Sequence, residues 1–284
     1  MKTKTRRLNG TKAVGLLRYI PLYAWLIFWT FALGWVVFAS LSTTKEIFTN
    51  DLLGSGIHVS NYVKAWRNNN VSKYFMNSVV ITCSSCALVV LIAVPAAYVL
   101  AKKIFLGRKL VLNGFVVGMS IPSILLVIPI YIAFVKAGLL GSIASLIFLY
   151  TMFNIPYTVF FLTSFFSTVP TSLAEAGMMD GCTEAGAMWR IMMPMASPGI
   201  LTVTIFNFMS IWNEYFMAMI FGNGNDDIRT LTMGLQNLIT AMTFSGDWAG
   251  LFASVMIVFL PTFVLYLFLS EKIIAGITGG GVKG

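Results

Sequence analysis

Charge, histidine and cysteine are all scarce in this sequence of 284 residues. Only 10% of the residues are charged, whereas soluble globular chains carry about 25%. The single histidine, His58, has no cysteine or second histidine near it, so a metal site has little support. Three cysteines do not make a disulfide framework. Cys83 and Cys86 form a CxxC inside an apolar run, which favours a helix contact over a redox or metal pair because reactive thiols need an exposed, electropositive setting.

Enzyme and nucleotide-binding motifs are also missing. The chain has no GxxxxGK[ST] phosphate loop and no Gly-Lys dipeptide at all, so it does not bind ATP through such a loop. It has no HExxH and no GxSxG with a histidine nearby, which makes an intramembrane enzyme a poor reading. Any ATP-driven process therefore takes its energy from a partner.

Long uncharged runs are what the sequence has instead, and 58% of its residues are hydrophobic. Runs of about 20 apolar residues are long enough to cross a bilayer. The first run follows a basic head as in a signal peptide, but it is longer than a typical signal core and further runs follow it. The sequence thus predicts an all-α membrane protein with six transmembrane helices, at 19–44, 74–101, 110–135, 142–166, 199–221 and 251–270.

The distribution of basic residues predicts the topology. Six spans place both termini on one side, and thirteen of the nineteen Lys and Arg then fall on that side. Because basic residues collect in cytoplasmic loops, this side is predicted to be cytoplasmic, and the net charge of +9 does not call for a nucleic-acid partner. The predicted organisation is a cytoplasmic N-terminus (1–18), a six-span domain (19–272) with a surface helix at 231–244, and a cytoplasmic Gly-rich tail (273–284).

The most distinctive part of the chain is residues 167–198, called here the 167–198 segment. It is predicted to lie in the cytoplasm between the fourth and fifth spans. Its first part is compatible with a helix, with Glu175 near the start, where a carboxylate suits the helix dipole. Gly181 permits a turn with positive φ, a second helical pattern with an apolar face follows, and Pro194 is expected to stop or bend it. A short helix pair of this kind predicts a docking surface for another protein, although a plain solvated loop is the alternative.

The residues Glu175–Ala176–Gly177, Asp180–Gly181, Ile191 and Pro194 give this segment a pattern that resembles, in residue type and spacing, the EAA motif of ABC importer permeases. The resemblance covers nearly the whole chain and is closest to the carbohydrate branch of the family, of the maltose (MalG-like) type. Gly177 and Cys182 stand where alanine is more usual, and Met188–Trp189 stands near a usual phenylalanine; these exchanges keep size or apolarity. The residues that carry the resemblance are Glu175, Ala176, Gly177, Asp180, Gly181, Ile191 and Pro194 in the segment, and Asn61–Tyr62, Asn77–Ser78, Pro122, Pro129, Trp212–Asn213–Glu214 and the tail from Gly276 to Gly284 outside it.

The resemblance implies the permease subunit of an ATP-driven sugar importer in a bacterial or archaeal cytoplasmic membrane. The seven motif residues would couple the spans to an ATPase, and this chain would bind no cofactor or metal and catalyse nothing. ATP and Mg would be used by the ATPase subunit. The implied partners are a second, non-identical permease, two copies of the cytoplasmic ATPase, an extracytoplasmic solute-binding protein, a sugar and the lipid bilayer.

Glu214 is a carboxylate with apolar neighbours inside the predicted fifth span. Such a group is costly to insert, so it faces a cavity or a partner. One interpretation is a pathway residue that binds sugar hydroxyls, with Asn213 beside it and Trp212 available for stacking. The other, which we favour, is a paired carboxylate that braces neighbouring helices or the partner permease.

Two alternative functions stay open at this point. The first is a permease of an ABC importer for a solute other than a sugar. The second is an ion-coupled secondary transporter, which typically needs several ionisable groups in its spans and inverted repeats. Only Glu214 qualifies as such a group, and no internal repeat is visible.

Overall fold

The computed structural model describes residues 19–68, 70–222 and 224–281, which are helical and contain no β-strand. The predicted basic N-terminus (1–18) lies outside these residues. Within these ranges, four helices are long and apolar enough to cross a membrane, and two bent helix pairs raise this number to six when each pair counts as one span. The predicted all-α membrane fold is confirmed.

The helices are numbered here in chain order. They are α1 (Ile20–Ser40), α2 (Thr44–Thr49), α3 (Ser60–Asn68), α4 (Val71–Lys102), α5 (Arg108–Ser120), α6 (Ser123–Lys136), α7 (Ile143–Thr168), α8 (Ser172–Met179), α9 (Glu184–Met195), α10 (Ser197–Trp212), α11 (Phe216–Phe221), α12 (Leu231–Ser245) and α13 (Trp248–Gly281), with a 3₁₀ turn at Asp226–Ile228.

The third predicted span is not one continuous helix. It consists of α5 and α6, whose axes differ by 99°. The break falls at Ile121, which is extended (φ −77°, ψ 121°) as a residue before proline prefers, and at Pro122, which begins the next helix. Pro129 stays inside α6, since a membrane helix tolerates proline where neighbouring groups satisfy the freed backbone.

The predicted fifth span also differs from the structure, because it is interrupted after Trp212 and resumes as the short helix α11. The predicted sixth span agrees with the candidate membrane span Trp248–Ser270. Its helix, α13, continues beyond that span to Gly281, through most of the predicted Gly-rich tail. Glycine weakens a helix by about 1 kcal/mol per residue but does not forbid it.

The chain divides into two compact units, of which the first comprises residues 1–69 and 238–257. In its described part, the end of α1 packs on α2 and on the start of α13 through Ala39, Ile47 and Ala249. The rings of Trp35 and Phe252 meet edge to face at 5.3 Å. The rest of α1 presents exposed aromatic and aliphatic side chains, as expected of a helix that faces lipid or another membrane subunit.

The polar loop after α1 is organised by Glu46. Its carboxylate accepts hydrogen bonds from the Thr43 N–H (2.7 Å) and from the Ser55 N–H (2.5 Å) and hydroxyl (2.6 Å). The Thr43 hydroxyl in turn accepts the N–H of Glu46, which completes a capping box at the start of α2. The bond from the Ser55 hydroxyl and the backbone bonds lower the pKa of Glu46 from 4.5 to about 2. His58 bonds the same serine hydroxyl at 2.9 Å.

The second unit comprises residues 70–237 and 258–284 and contains both candidate sites. Its core is formed mainly by α4 and α7, which pack along much of their length, with α10 against both. A buried polar clamp joins α7 to α10, where the Asn207 amide donates to the Thr158 hydroxyl at 2.9 Å. Hydrogen bonds of this kind between membrane helices contribute about 0.6 kcal/mol on average.

Candidate functional site

The 167–198 segment folds as a helix, a turn and a second helix, as predicted. α8 ends at Met179, and Gly181 adopts φ +89°, a left-handed conformation that glycine takes without strain. The Thr183 hydroxyl then accepts the N–H of Gly186 at 3.1 Å and caps α9. Backbone N–H groups of the turn are hydrogen-bonded, those of Gly181 and Cys182 to carbonyls of α8.

The two short helices approach each other closely at Gly177 and Ile191. A Cβ on residue 177 would overlap the Cδ1 atom of Ile191, so the absence of a side chain allows the contact. Ala174, Ala187 and Met192 are buried in one cluster with side chains of α4, α7 and α10. The helix pair is thus attached to the body of the second unit through a packed apolar face.

The opposite face of the helix pair is exposed. Glu175 and Asp180 are exposed carboxylates, and they stand among large apolar side chains that are also exposed. Clusters of exposed apolar groups rimmed by polar ones mark protein interaction sites. The exposed apolar residues of the pair are Leu173, Met178, Met179, Trp189 and Met195.

The second helix of the pair is irregular. Residues Met188–Met192 form a π-helical turn inside α9, a feature found frequently at functional sites. Pro194 lies inside α9, which ends one residue later at Met195, close to the position where the sequence predicts a stop or a bend. The bend of 74° between α9 and α10 falls at Ala196, and Pro198 occupies the first turn of α10.

Two basic residues at the end of α4 join the 167–198 segment to the ends of the spans, and a third, Arg108, links the end of α4 to the start of α5. Lys103, just after α4, forms a 2.5 Å ion pair with Glu184 at the start of α9, and this bond raises the pKa of Lys103. Lys102 donates to the Val169 carbonyl, just after α7. Arg108 donates to the Leu100 carbonyl at 2.6 Å. The basic cluster that the sequence assigned only to topology therefore also makes local contacts.

A cavity of about 520 Å³ lies where the third and fifth spans are broken. Its lining comes from the α5–α6 break (including Ile121 and Pro122), from α7 and from the α10–α11 break. The volume falls within the range of about 300–1,000 Å³ that is usual for ligand sites. Helix breaks at membrane depth are tolerated where they line such a cavity.

Glu214 lies at the break and lines this cavity. Its carboxylate accepts the N–H groups of Met217 (2.7 Å) and Ala218 (3.0 Å), which start α11, and the hydroxyl of Tyr150 (2.6 Å). Its carbonyl accepts the hydroxyl of Thr232 at 2.7 Å. These contacts agree with the favoured interpretation of a carboxylate that braces neighbouring helices.

Trp212 and Asn213 are not part of the cavity lining. The Trp212 side chain is only 2% exposed, stacks on Phe208 and donates its indole N–H to the Val258 carbonyl at 3.1 Å. The predicted stacking of Trp212 on a sugar is therefore incompatible with this arrangement. Asn213 is exposed, and its amide donates to the Met209 carbonyl of its own helix.

Sequence reasoning missed Tyr150, Asn154 and Tyr157, which line the cavity from α7. Their one available signal is a polar group every three to four residues along an apolar span, which places them on one face. Nothing in the sequence paired Tyr150 with Glu214. Within the described ranges, no group of three or more His, Cys, Asp or Glu side chains is arranged to hold a metal ion.

Comparison with protein families gives one match that covers most of the chain. The family model described as "Binding-protein-dependent transport system inner membrane component" matches residues 90–274. The match includes the whole 167–198 segment and all residues of the cavity named above.

Individual relatives are similar over nearly their full length. The "Diacetylchitobiose uptake system permease protein NgcG" of Streptomyces coelicolor is 32% identical over 91% of this chain and 86% of its own. The "Sulfoquinovosyl glycerol transport system permease protein SmoH" of Agrobacterium fabrum is 31% identical over 94% of both chains. A crystal structure of a bacterial ABC transporter involved in alginate import contains a chain that matches with a TM-score of 0.80, covering 94% of this chain and 99% of that one. At 18% identity, this last match shows the fold alone.

Proposed function

Because the chain belongs to the family of inner-membrane components of binding-protein-dependent transport systems, we propose that it is the permease subunit of an ATP-driven sugar importer. The named substrates of the two relatives are both glycosides, which favours a sugar over another solute. Family membership also sets aside the ion-coupled secondary transporter that the sequence left open.

The 167–198 segment is proposed to couple the spans to the ATPase. The observation that supports this proposal is the two-faced structure of the helix pair. One face packs into the helical body of the second unit, and the other presents exposed apolar groups and carboxylates. A push on the exposed face would be transmitted to α4, α7 and α10, with which the buried face packs. The coupling residues remain those of the motif, Glu175, Ala176, Gly177, Asp180, Gly181, Ile191 and Pro194.

The cavity at the two helix breaks is proposed to be this subunit's share of the sugar pathway. Glu214 contributes to this pathway because its carboxylate holds the start of α11 at the break. Trp212 and Asn213 contribute because they form the end of α10 that precedes the break. The support is the coincidence of both broken spans with a single cavity in the second unit.

The proposed assembly contains a second, non-identical permease, two copies of a cytoplasmic ATPase that uses ATP and Mg, and an extracytoplasmic binding protein that delivers the sugar. The proposed orientation places both termini and the 167–198 segment in the cytoplasm. The excess of basic residues on that side supports it.

The coupling proposal is tested by Gly181→Pro and Glu175→Lys in the complete complex in proteoliposomes. Proline cannot adopt φ +89°, so we expect sugar uptake to fall at least about tenfold while the complex still assembles. Gly181→Asn is the control, because asparagine tolerates the left-handed conformation. Normal uptake by both Gly181→Pro and Glu175→Lys would contradict the assignment.

A further inference from the structure

The polar side chains of the cavity differ in their hydrogen bonds, and the Asn154 amide donates to the Tyr150 carbonyl of its own helix. The Tyr150 hydroxyl donates a hydrogen bond to the Glu214 carboxylate, which also accepts two backbone N–H groups at the start of α11. Within the described part of the chain, the hydroxyls of Ser123, Tyr157 and Ser210 line the cavity without a hydrogen-bond partner. These hydroxyls come from three different helices, α6, α7 and α10, and are available to a ligand in the cavity.

Three aromatic rings contribute to the apolar part of the same lining, beside aliphatic side chains. Phe153 and Tyr157 come from α7, and Phe216 comes from the start of α11. Free hydroxyls beside aromatic rings match a pyranose, which presents an apolar C–H face and hydroxyl groups around its edge. Aromatic side chains are suited to such a ligand because they combine an apolar face with, in tyrosine, a polar end.

The charge of the lining is the feature that discriminates between sugars. Glu214 is the single charged residue among the described residues of the lining, which include no Lys, Arg or His. A sulfonate or carboxylate here would meet one carboxylate and no cation. Burying a charge without a partner is costly, so this wall disfavours an acidic sugar.

From these observations we infer that this subunit itself carries a subsite for a neutral glycosyl ring. The ring stacks on the side chain of Tyr157 and hydrogen-bonds the hydroxyls of Ser123, Tyr157 and Ser210. This inference rests on the proposed sugar import and adds the class of sugar group that this wall accepts. An acidic group on the substrate would have to lie against another subunit.

Glu214 is a positioning residue in this subsite. Its three bonds hold Tyr150 and the start of α11, which carries Phe216 into the lining. It therefore shapes the wall without contacting the sugar. These bonds explain why an apolar span contains the Glu214 carboxylate, without requiring that the carboxylate bind the substrate.

The test compares two probes that differ at one group, glucosyl glycerol and sulfoquinovosyl glycerol, the second carrying a sulfonate in place of a hydroxyl. Saturation-transfer NMR is recorded on the purified complete complex with each probe. We expect transfer to the ring protons of glucosyl glycerol and at least about fivefold less to the sulfonated probe, because the wall offers it no cation. Equal or stronger transfer to the sulfonated probe overturns the inference.

Variants locate the binding. Tyr157→Ala is expected to lower the glucosyl glycerol signal about fivefold through loss of stacking, and Tyr157→Phe with Ser210→Ala to lower it through loss of two hydroxyls. Tyr215→Ala, next to the break but outside the lining, is the control and should leave the signal unchanged. Binding-protein-stimulated ATP hydrolysis verifies the assembly of each variant. An unchanged signal in the first two variants overturns the subsite.

Failure of the subsite and failure of the proposed function give different results. If the wild-type complex imports sugar but shows no transfer to glucosyl glycerol, the subsite is wrong and the import function stands. If the wild-type complex with its binding protein imports no sugar, the proposed function itself is wrong, and the subsite falls with it.

Discussion

The side chain of Ile191 occupies the space that a Cβ of residue 177 would need, so Gly177 and Ile191 define how closely α8 and α9 pack. This contact lies between the exposed face of the 167–198 segment and the buried residues Ala174, Ala187 and Met192. In the proposed coupling mechanism, force on one short helix would reach the other through this contact.

Substitutions at Gly177 should therefore have graded effects. Gly177→Ala meets only the flexible end of the Ile191 side chain, and we expect uptake per ATP hydrolysed within about twofold of wild type. Gly177→Leu overpacks the contact, at a typical cost of about 1–3 kcal/mol, and should uncouple transport. The double variant Gly177→Leu with Ile191→Ala should recover activity, and no recovery would contradict the packing argument.

The ion pair between Lys103 and Glu184 should couple the end of α4 to α9. Both side chains are partly exposed, 38% and 59%, and such pairs contribute about 0.2–1 kcal/mol. We expect Lys103→Glu or Glu184→Lys alone to lower uptake per ATP by about twofold to fivefold. The charge-swapped double variant should restore it. A double variant as impaired as the sum of both single variants would show that the pair has no such role.

The Glu46 loop should respond to pH. Because the folded-state pKa of about 2 lies below the ordinary 4.5, the carboxylate stabilises the loop fully above pH 4.5 and loses this effect as the pH falls toward 2. Hydrogen exchange of residues 43–58, corrected for intrinsic rates, should show less protection at about pH 3 than at about pH 6. Glu46→Gln should remove this pH difference, whereas Asp51→Asn should retain it. Equal wild-type protection at both pH values would refute the prediction.

The sequence predicted the features that depend on local pattern. Long apolar runs located the spans, and the positive φ of Gly181 followed from its place in a turn between two helical patterns. The helix pair of the 167–198 segment was also predicted from its residues. These features require no knowledge of which side chains meet in space.

The features that sequence missed depend on tertiary partners. Pro122 breaks its span whereas Pro129 does not, and the residue type alone does not distinguish the two positions. The sequence indicated that Glu214 is costly to place in a membrane span, but it did not identify the partners of the carboxylate. One of them, Tyr150, is 64 residues away in the chain. One of the two interpretations placed Trp212 in the pathway beside Glu214, yet the Trp212 side chain is buried in the packed interior.

The most direct test of the account is a crosslink from the exposed end of α8. Met179 is 88% exposed, so Met179→Cys, in a chain whose Cys83, Cys86 and Cys182 are replaced by serine, places one thiol on the proposed docking face. We expect a short thiol crosslinker to join residue 179 to the ATP-hydrolysing subunit in the assembled complex. Labelling of this cysteine by a membrane-impermeant maleimide added to the outside of intact cells would contradict the account.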